Sequence, residues 1–274
     1  MALSLIIIAV VLLVILLGKI TLFLKFKKQV KTLYANALNV SDKRYSLSQL
    51  DGLPEPVQRY FKYVLKDGMP YISSLRLRQK GVFKTNLKSG FITITGEQYF
   101  SVQKPQFIWK GSTLLFTARD SFIADKGNLK VSLFNIFTVV NGKGAEINEG
   151  EMQRWLAESV WFPTNLLPSE NITWIAIDQD SAKLSFRYKE ISFDFIARFN
   201  VLGEIVAMET LRFMTDKKRE SWLCRMDDYK EINGVKIPFS AEAVWKLKTG
   251  DFSYAKFKVT AIQYNQNISK DSVV

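Results

Sequence analysis

SWLCRMDDYKEINGVKIPFSAEAVWKL, residues 221–247, holds two runs of alternating apolar and polar side chains joined at Asn233-Gly234. A period of two puts the apolar set on one face of a strand. Asn-Gly supplies two residues that tolerate positive φ, as a two-residue hairpin turn requires. The stretch therefore predicts an antiparallel hairpin with one buried face. Downstream, after Thr249-Gly250-Asp251, FSYAKFKVTAIQYN continues the pattern. Upstream lie ITWIAID, AKLSFRY, ISFDFIARFN and EIVAMETLRFM, with joints at Gln179-Asp180-Ser181 and Leu202-Gly203. The same period starts at Tyr71 and runs through Leu75, Leu77, Gln79, Gly81 and Phe83. It resumes as FITITGEQYFSVQ, QFIWKG, TLLFTARDSFIAD and NLKVSLFNIFTVVNG, the last two joined at Lys126-Gly127-Asn128. Turn signals at this spacing predict a meander of roughly eleven strands. So wide an antiparallel sheet curls, because strand twist accumulates.

Two segments break the alternation. In LPEPVQRYFKYVLKDGMP (53–70), Val57, Tyr60, Phe61, Val64 and Leu65 mark one helical face behind Pro54 and Pro56. Asp67-Gly68 and Pro70 end it. In NEGEMQRWLAESVWFP (148–163), Met152, Trp155, Leu156, Ser159 and Val160 share a face. Asn148 is the expected cap, with Glu149 and Glu151 in the first turn. Pro163 and Pro168 bracket the exit loop. The expected fold class is mainly β (α+β): a large curved antiparallel sheet, or half-barrel, with about two packing helices.

The N-terminus has a different character. MALSLIIIAVVLLVILL (1–17) contains a single polar side chain, Ser4, and apolar character resumes as ITLFL through Leu24. A helix over 2–24 is about 34 Å long, enough to span a hydrocarbon core. No basic residue precedes the run, and Lys19-Ile20-Thr21-Leu22-Phe23 is not a small-x-small cleavage site, so an uncleaved single-pass anchor is expected. The expected organisation is an anchor at 1–24, a basic helical stalk and linker at 25–52, a β domain at 53–265 with an inserted helix at 148–162, and a polar tail at 266–274. Lys25, Lys27, Lys28 and Lys31 follow the anchor and argue for a cytoplasmic domain.

Composition narrows the chemistry. Histidine is absent and Cys224 is the single cysteine, which removes Ser-His-Asp and Cys-His catalysis, imidazole metal sites and intrachain disulfides. Asp227, Asp228 and Glu231 lack calcium-loop spacing. No cofactor or metal is implied. The net charge of +12 is dispersed rather than blocked, with Lys217, Lys218 and Arg219 the densest group, so a membrane surface is the expected partner and nucleic acid is not.

The segments LPEPVQRYFKYVL, GEMQRWLAESVWFPTNLLP and YKEINGVKIPFSAEAVW together resemble an uncharacterised family of bacterial membrane-anchored proteins over residues 50–265. Arg154, Glu158, Trp161 and Pro163 carry the most specific part of that resemblance. The strand pattern with its inserted helix is also similar to the half-barrel of lipoprotein carriers of the LolA/LolB type. That likeness implies an acyl-chain cavity and a location outside the cytoplasm, which is the side expected here against the argument of the post-helix lysines; a permanent anchor departs from it.

Trp155, Trp161, Phe162, Leu166 and Leu167 are candidate pocket-lining residues, and equally a lid packed on the sheet. Glu151, Arg154 and Glu158, at i, i+3 and i+7, are a candidate polar cluster at the pocket mouth, and equally a helical ion-pair array. The leading expectation is a non-enzymatic, membrane-tethered domain that binds a lipid, an acyl chain or a lipidated protein. The alternatives are a scaffold subunit of a membrane complex, with a protein partner, and a carboxylate hydrolase centred on Glu151 or Glu158.

Overall fold

The computed structural model describes residues 2–35, 42–102, 104–215 and 218–265. The polar tail, residues 36–41 of the linker, and Lys217 lie outside them. All the strands join one antiparallel sheet. The first six are β1 (Ser74–Phe83), β2 (Ile92–Ser101), β3 (Gln106–Ser112), β4 (Phe116–Ile123), β5 (Lys126–Leu133) and β6 (Phe137–Gly142). The rest are β7 (Ile172–Ala176), β8 (Ser181–Tyr188), β9 (Ile191–Phe199), β10 (Ile205–Thr215), β11 (Lys218–Ile232), β12 (Val235–Leu247) and β13 (Gly250–Tyr264).

The order β6-β5-β4-β3-β2-β1-β13-β12-β11-β10-β9-β8-β7 describes two meanders. One walks outward from β1 to the β6 edge. The other walks back from the β7 edge to β13, which pairs with β1 at the centre. The sheet curls without closing, as the width of the pattern predicts. The hairpin at Asn233-Gly234 forms as expected, with both residues at positive φ.

Thirteen strands replace the expected eleven or so, and one missed turn explains part of the difference. NLKVSLFNIFTVVNG is not one strand. Phe134 and Asn135 take φ of 49° and 62° and fold it into the β5–β6 hairpin. This turn carries no glycine, so composition does not mark it. The β4–β5 turn likewise sits at Ala124-Asp125, with φ of 50° and 64°, two residues before the expected Lys126-Gly127-Asn128.

Three α-helices serve the sheet. α2 (Glu55–Val64) starts at Pro54 and buries Val57, Tyr60, Phe61 and Val64, the predicted face. α3 (Ala145–Ala157) connects the two edges and packs against β4 and β5 on one wing and β10 on the other. It starts three residues before Asn148, behind Gly144. Asn148 is therefore inside the helix, where its Oδ1 accepts from Gly127 N at 2.7 Å and ties the helix to β5. Glu149 pairs with Arg219. Beyond α3 the chain tightens into 3-10 turns at Glu158–Trp161 and Pro163–Leu166. Trp161 Nε1 donates to Pro238 O at 3.0 Å, Tyr264 Oη to Trp161 O at 2.7 Å, and Trp174 Nε1 to Leu166 O at 2.8 Å. These bonds fasten the segment to the concave face.

α1 (Ala2–Ala35) is one continuous helix. Over Ala2–Tyr34 it is long and apolar enough to cross a membrane. Its last third has a second use. Phe26, Val30 and Leu33, at i, i+4 and i+7, bury against Tyr99 and Ile108. Tyr99 and Ile108 alternate with Phe100 and Phe107, which face the main core, so α1 lies on the outer face of the sheet. Tyr34 Oη closes the contact by donating to Leu75 O at 2.9 Å.

Candidate functional site: a cavity with a charged pole

The concave face is filled unevenly. Around α2 and the 3-10 segment, Phe100, Phe107, Phe162 and Leu166 pack solidly. On the other side of α3 a cavity of about 300 Å³ remains. That is the low end of the roughly 300–1,000 Å³ usual for small-ligand pockets. It exists because the sheet places small side chains where large ones would fill it: Ala118 on β4, Ala241 and Ala243 on β12, and Ala255 on β13 all line the space. Phe83, Ile94, Val131, Met226 and Phe257 are among the larger apolar side chains of the wall.

One pole of the cavity is charged. Arg154 projects from α3 and forms ion pairs with Asp120 of β4 and, at 2.9 Å, with Glu158. Gln98 Nε2 donates to the other Glu158 oxygen at 2.6 Å. The Arg154 guanidinium also stacks over Trp109, 4.9 Å from the ring centre, and over Phe107 at 5.4 Å. Arg212 of β10 lies 4.4 Å over Trp222. It approaches the backbone of α3 at Gly150, where a β-carbon would stand 3.2 Å from its Nε. Asp120, Arg154, Glu158 and Arg212 all line the cavity.

Burial opposes the charges of Asp120, Arg154 and Glu158. It pushes the Asp120 and Glu158 carboxyls upward, with Arg154 pulling both back. Burial also acts against the Arg154 charge, but Glu158, Asp120 and Glu151 together outweigh it and hold the guanidinium above its ordinary range. Glu151 behaves differently. Burial, reinforced by Asp120, raises its carboxyl to about 8, and its Oε2 has no hydrogen-bond partner. Glu151 is therefore protonated at neutral pH. The Asp120 and Glu158 carboxyls are left to face the Arg154 and Arg212 guanidiniums. The Cys224 thiol, also on the wall, is pushed well above its usual range by burial and is not a nucleophile.

Of the residues singled out in the sequence, Arg154, Glu158 and Trp161 reach the cavity wall. Trp155, Phe162, Leu166 and Leu167 are buried behind it, Trp155 against Phe162 and Phe186. Glu151 is 4% exposed and sits under the charged pole rather than on it. Asp227 and Asp228 are exposed and Glu231 pairs with Lys66, away from the cavity. The residues not anticipated are Asp120, Arg212, Trp109 and Trp222. Strand parity carries a signal for the first two. Asp120 shares a strand face with Ala118 and Phe122, and Arg212 with Met208 and Thr210. A charge in the inward register is the mark of a buried pair.

Trp109 shows how the wall is built. Gly96 and Gly111 are register partners on β2 and β3. A β-carbon on Gly111 would stand 2.2 Å from the Trp109 ring, and one on Gly96 2.8 Å from its Nε1. The indole thus lies flat over two glycines, offering its other face to Arg154. Gly111→Ala is expected to displace the ring and cost about 1–3 kcal/mol. The readout is the thermal midpoint together with a shift in tryptophan emission; an unchanged midpoint and spectrum would contradict this packing.

Residues 43–257 match DUF6544, a family of unknown function. The chain belongs to that family. No curated protein matches this DUF6544 chain. Among solved structures it is similar to a LolA superfamily protein from Nitrosomonas europaea, at TM-score 0.46 and 8% identity over 77% of this chain and 92% of that one. A putative outer membrane lipoprotein-sorting protein domain from Vibrio parahaemolyticus is similar at TM-score 0.42 and 8% identity, over 83% and 95% of the two chains.

Proposed function

We propose that the protein is a membrane-tethered, non-enzymatic binding domain whose cavity holds an acyl chain of a lipid or of a lipidated protein. The carrying observation is the cavity itself: an alanine-lined apolar space, left open beneath an otherwise tightly packed lid, with an ion-paired pole at one end. The apolar wall suits a hydrocarbon chain. The paired Arg154 and the neighbouring Arg212 suit the polar atoms at its head. About 300 Å³ accommodates part of one chain rather than a whole phospholipid. Helix α1 supplies the tether.

A hydrolase reading has one observation in its favour, the raised carboxyl of Glu151. Glu151 does not reach the cavity wall, however; of the carboxylates that do, Asp120 and Glu158 are held by Arg154, and Glu242 pairs with Arg225 and Lys256. The arrangement favours binding over proton transfer.

The full chain, purified in mild detergent, is expected to carry lipid in its organic extract by mass spectrometry. Filling the cavity with Ala243→Trp is expected to lower that content at least fivefold while the thermal midpoint shifts by a few degrees. Equal lipid content in the two proteins would remove the cavity as the binding site. A protease-accessibility assay on spheroplasts reads which side of the membrane carries the domain.

A further inference from the structure

Three adjacent hairpins of the first meander turn at the same end of the sheet. Their tips are residues 84–91 between β1 and β2, 113–115 between β3 and β4, and 134–136 between β5 and β6. The second and third are tied together: Phe134 N donates to Leu115 O at 2.7 Å, and Thr117 Oγ1 to Asn135 Oδ1 at 2.7 Å. They are also unusually apolar for a free surface. Leu114 is 94% exposed and Phe137, just past the third tip, 63%; Leu87, Phe91, Leu115, Phe134 and Ile136 are exposed as well. Contiguous exposed apolar side chains of this kind mark an interaction surface. The tips contain Lys84 and Lys88 and no acidic residue.

Helix α1 passes directly beside them. A β-carbon on Gly18 would lie 3.0 Å from Asn135 O and 3.2 Å from Ile136. From this level the helix runs along the outer face to Tyr34 and β1 in one direction and projects past the tips in the other. The projecting part, residues 2–17, is about 24 Å long at 1.5 Å per residue. A hydrocarbon core is about 30 Å thick. The exposed apolar run continues past Gly18 through Ile20, Phe23 and Leu24, so the crossing stretch reaches the turn level with the tips, where Lys19 can snorkel to the headgroups.

From this depth argument we propose that the three hairpin tips are immersed in the same membrane leaflet from which α1 emerges, so that the cavity faces lipid. Leu87, Leu114, Leu115, Phe134, Ile136 and Phe137 enter the acyl region, and Lys19, Lys84 and Lys88 meet anionic headgroups. The cavity wall reaches Phe83, Ala118 and Val131, each within two residues of a strand end at a tip. An acyl chain therefore has an apolar path from bilayer to cavity that does not cross water. The proposal rests on reading α1 as an anchor. It extends the binding reading to the route of loading, but the test below reads depth alone.

The test uses the full chain in phosphatidylcholine/phosphatidylglycerol vesicles. Environment-sensitive fluorophores are placed on single cysteines at position 114, 137 or 201 in a Cys224→Ala background. Val201, 88% exposed in the β9–β10 turn, is the control. Lipids spin-labelled on the acyl chain are expected to quench the probes at 114 and 137 at least twofold and to leave 201 unaffected. Iodide in the water should do the reverse. Quenching of all three probes by iodide, and of none by the spin-labelled lipid, would overturn the proposal. That result would leave lipid content in the organic extract as a separate question.

Discussion

Replacing Arg154 with Met is expected to lower stability by about 3–5 kcal/mol, the cost of leaving buried carboxylates without their counter-charge. For a domain of this size that corresponds to a drop of roughly 6–20 °C in thermal midpoint. Arg154 bridges Asp120 and Glu158 while stacking on Trp109 and Phe107. Its loss strands both carboxylates and removes the strut between α3 and β4. Loss of charge balance can be separated from loss of packing. Adding Asp120→Asn and Glu158→Gln to Arg154→Met removes the orphaned charges and should restore most of the midpoint. If the triple variant is no more stable than the single one, the cluster is not held together by this electrostatic balance.

The second large effect is a pH dependence centred on Glu151. Its folded carboxyl is raised to about 8 from an ordinary value near 4.5. Between those values the folded state binds a proton that the unfolded state has released. The contribution is fully present below about pH 4.5, falls as pH rises toward 8, and is flat beyond. A shift of that size corresponds to a loss of a few kcal/mol across the interval. Glu151→Gln keeps the shape without the ionisation, so its midpoint should stay level from pH 5 to 8 while that of the parent falls. Parallel curves would show that Glu151 ionises freely and is not buried as described. Acid below pH 4.5 acts through other groups. Burial raises the Glu209 carboxyl, but hydrogen bonds from Lys246, Ser221 and Arg198 outweigh it and bring it to about 2. Stability from Glu209 is therefore lost as pH falls, and both proteins should weaken together there.

Much of the architecture was readable because it is local. Asn233-Gly234 marks its hairpin through backbone preference alone, and Val57, Tyr60 and Phe61 mark α2 through spacing. The turn at Phe134-Asn135 was not readable, since two side-chain-bearing residues occupy positive φ under tertiary constraint. The site was half legible. Arg154 and Glu158 stand together on one helix turn, whereas Asp120 and Arg212 come from opposite wings of the sheet, and only the folded topology brings them to Arg154. The sheet side of the cavity was illegible for a different reason. Ala118, Ala241, Ala243 and Ala255 are unremarkable in a strand, and the space they leave depends on the lid opposite. The outer-face contact of Phe26, Val30 and Leu33 does have helical spacing, but the lysines on the same segment point to a basic stalk at the headgroup layer.

The most direct test is photolabelling of the full chain in its native membrane with a diazirine fatty acid, followed by peptide mapping. Adducts are expected on residues that face the cavity, such as Val131, Met226 and Phe257, and they should vanish in Ala243→Trp. Labelling confined to residues 2–24 and the hairpin tips, unchanged by that substitution, would show a domain that touches lipid without holding it.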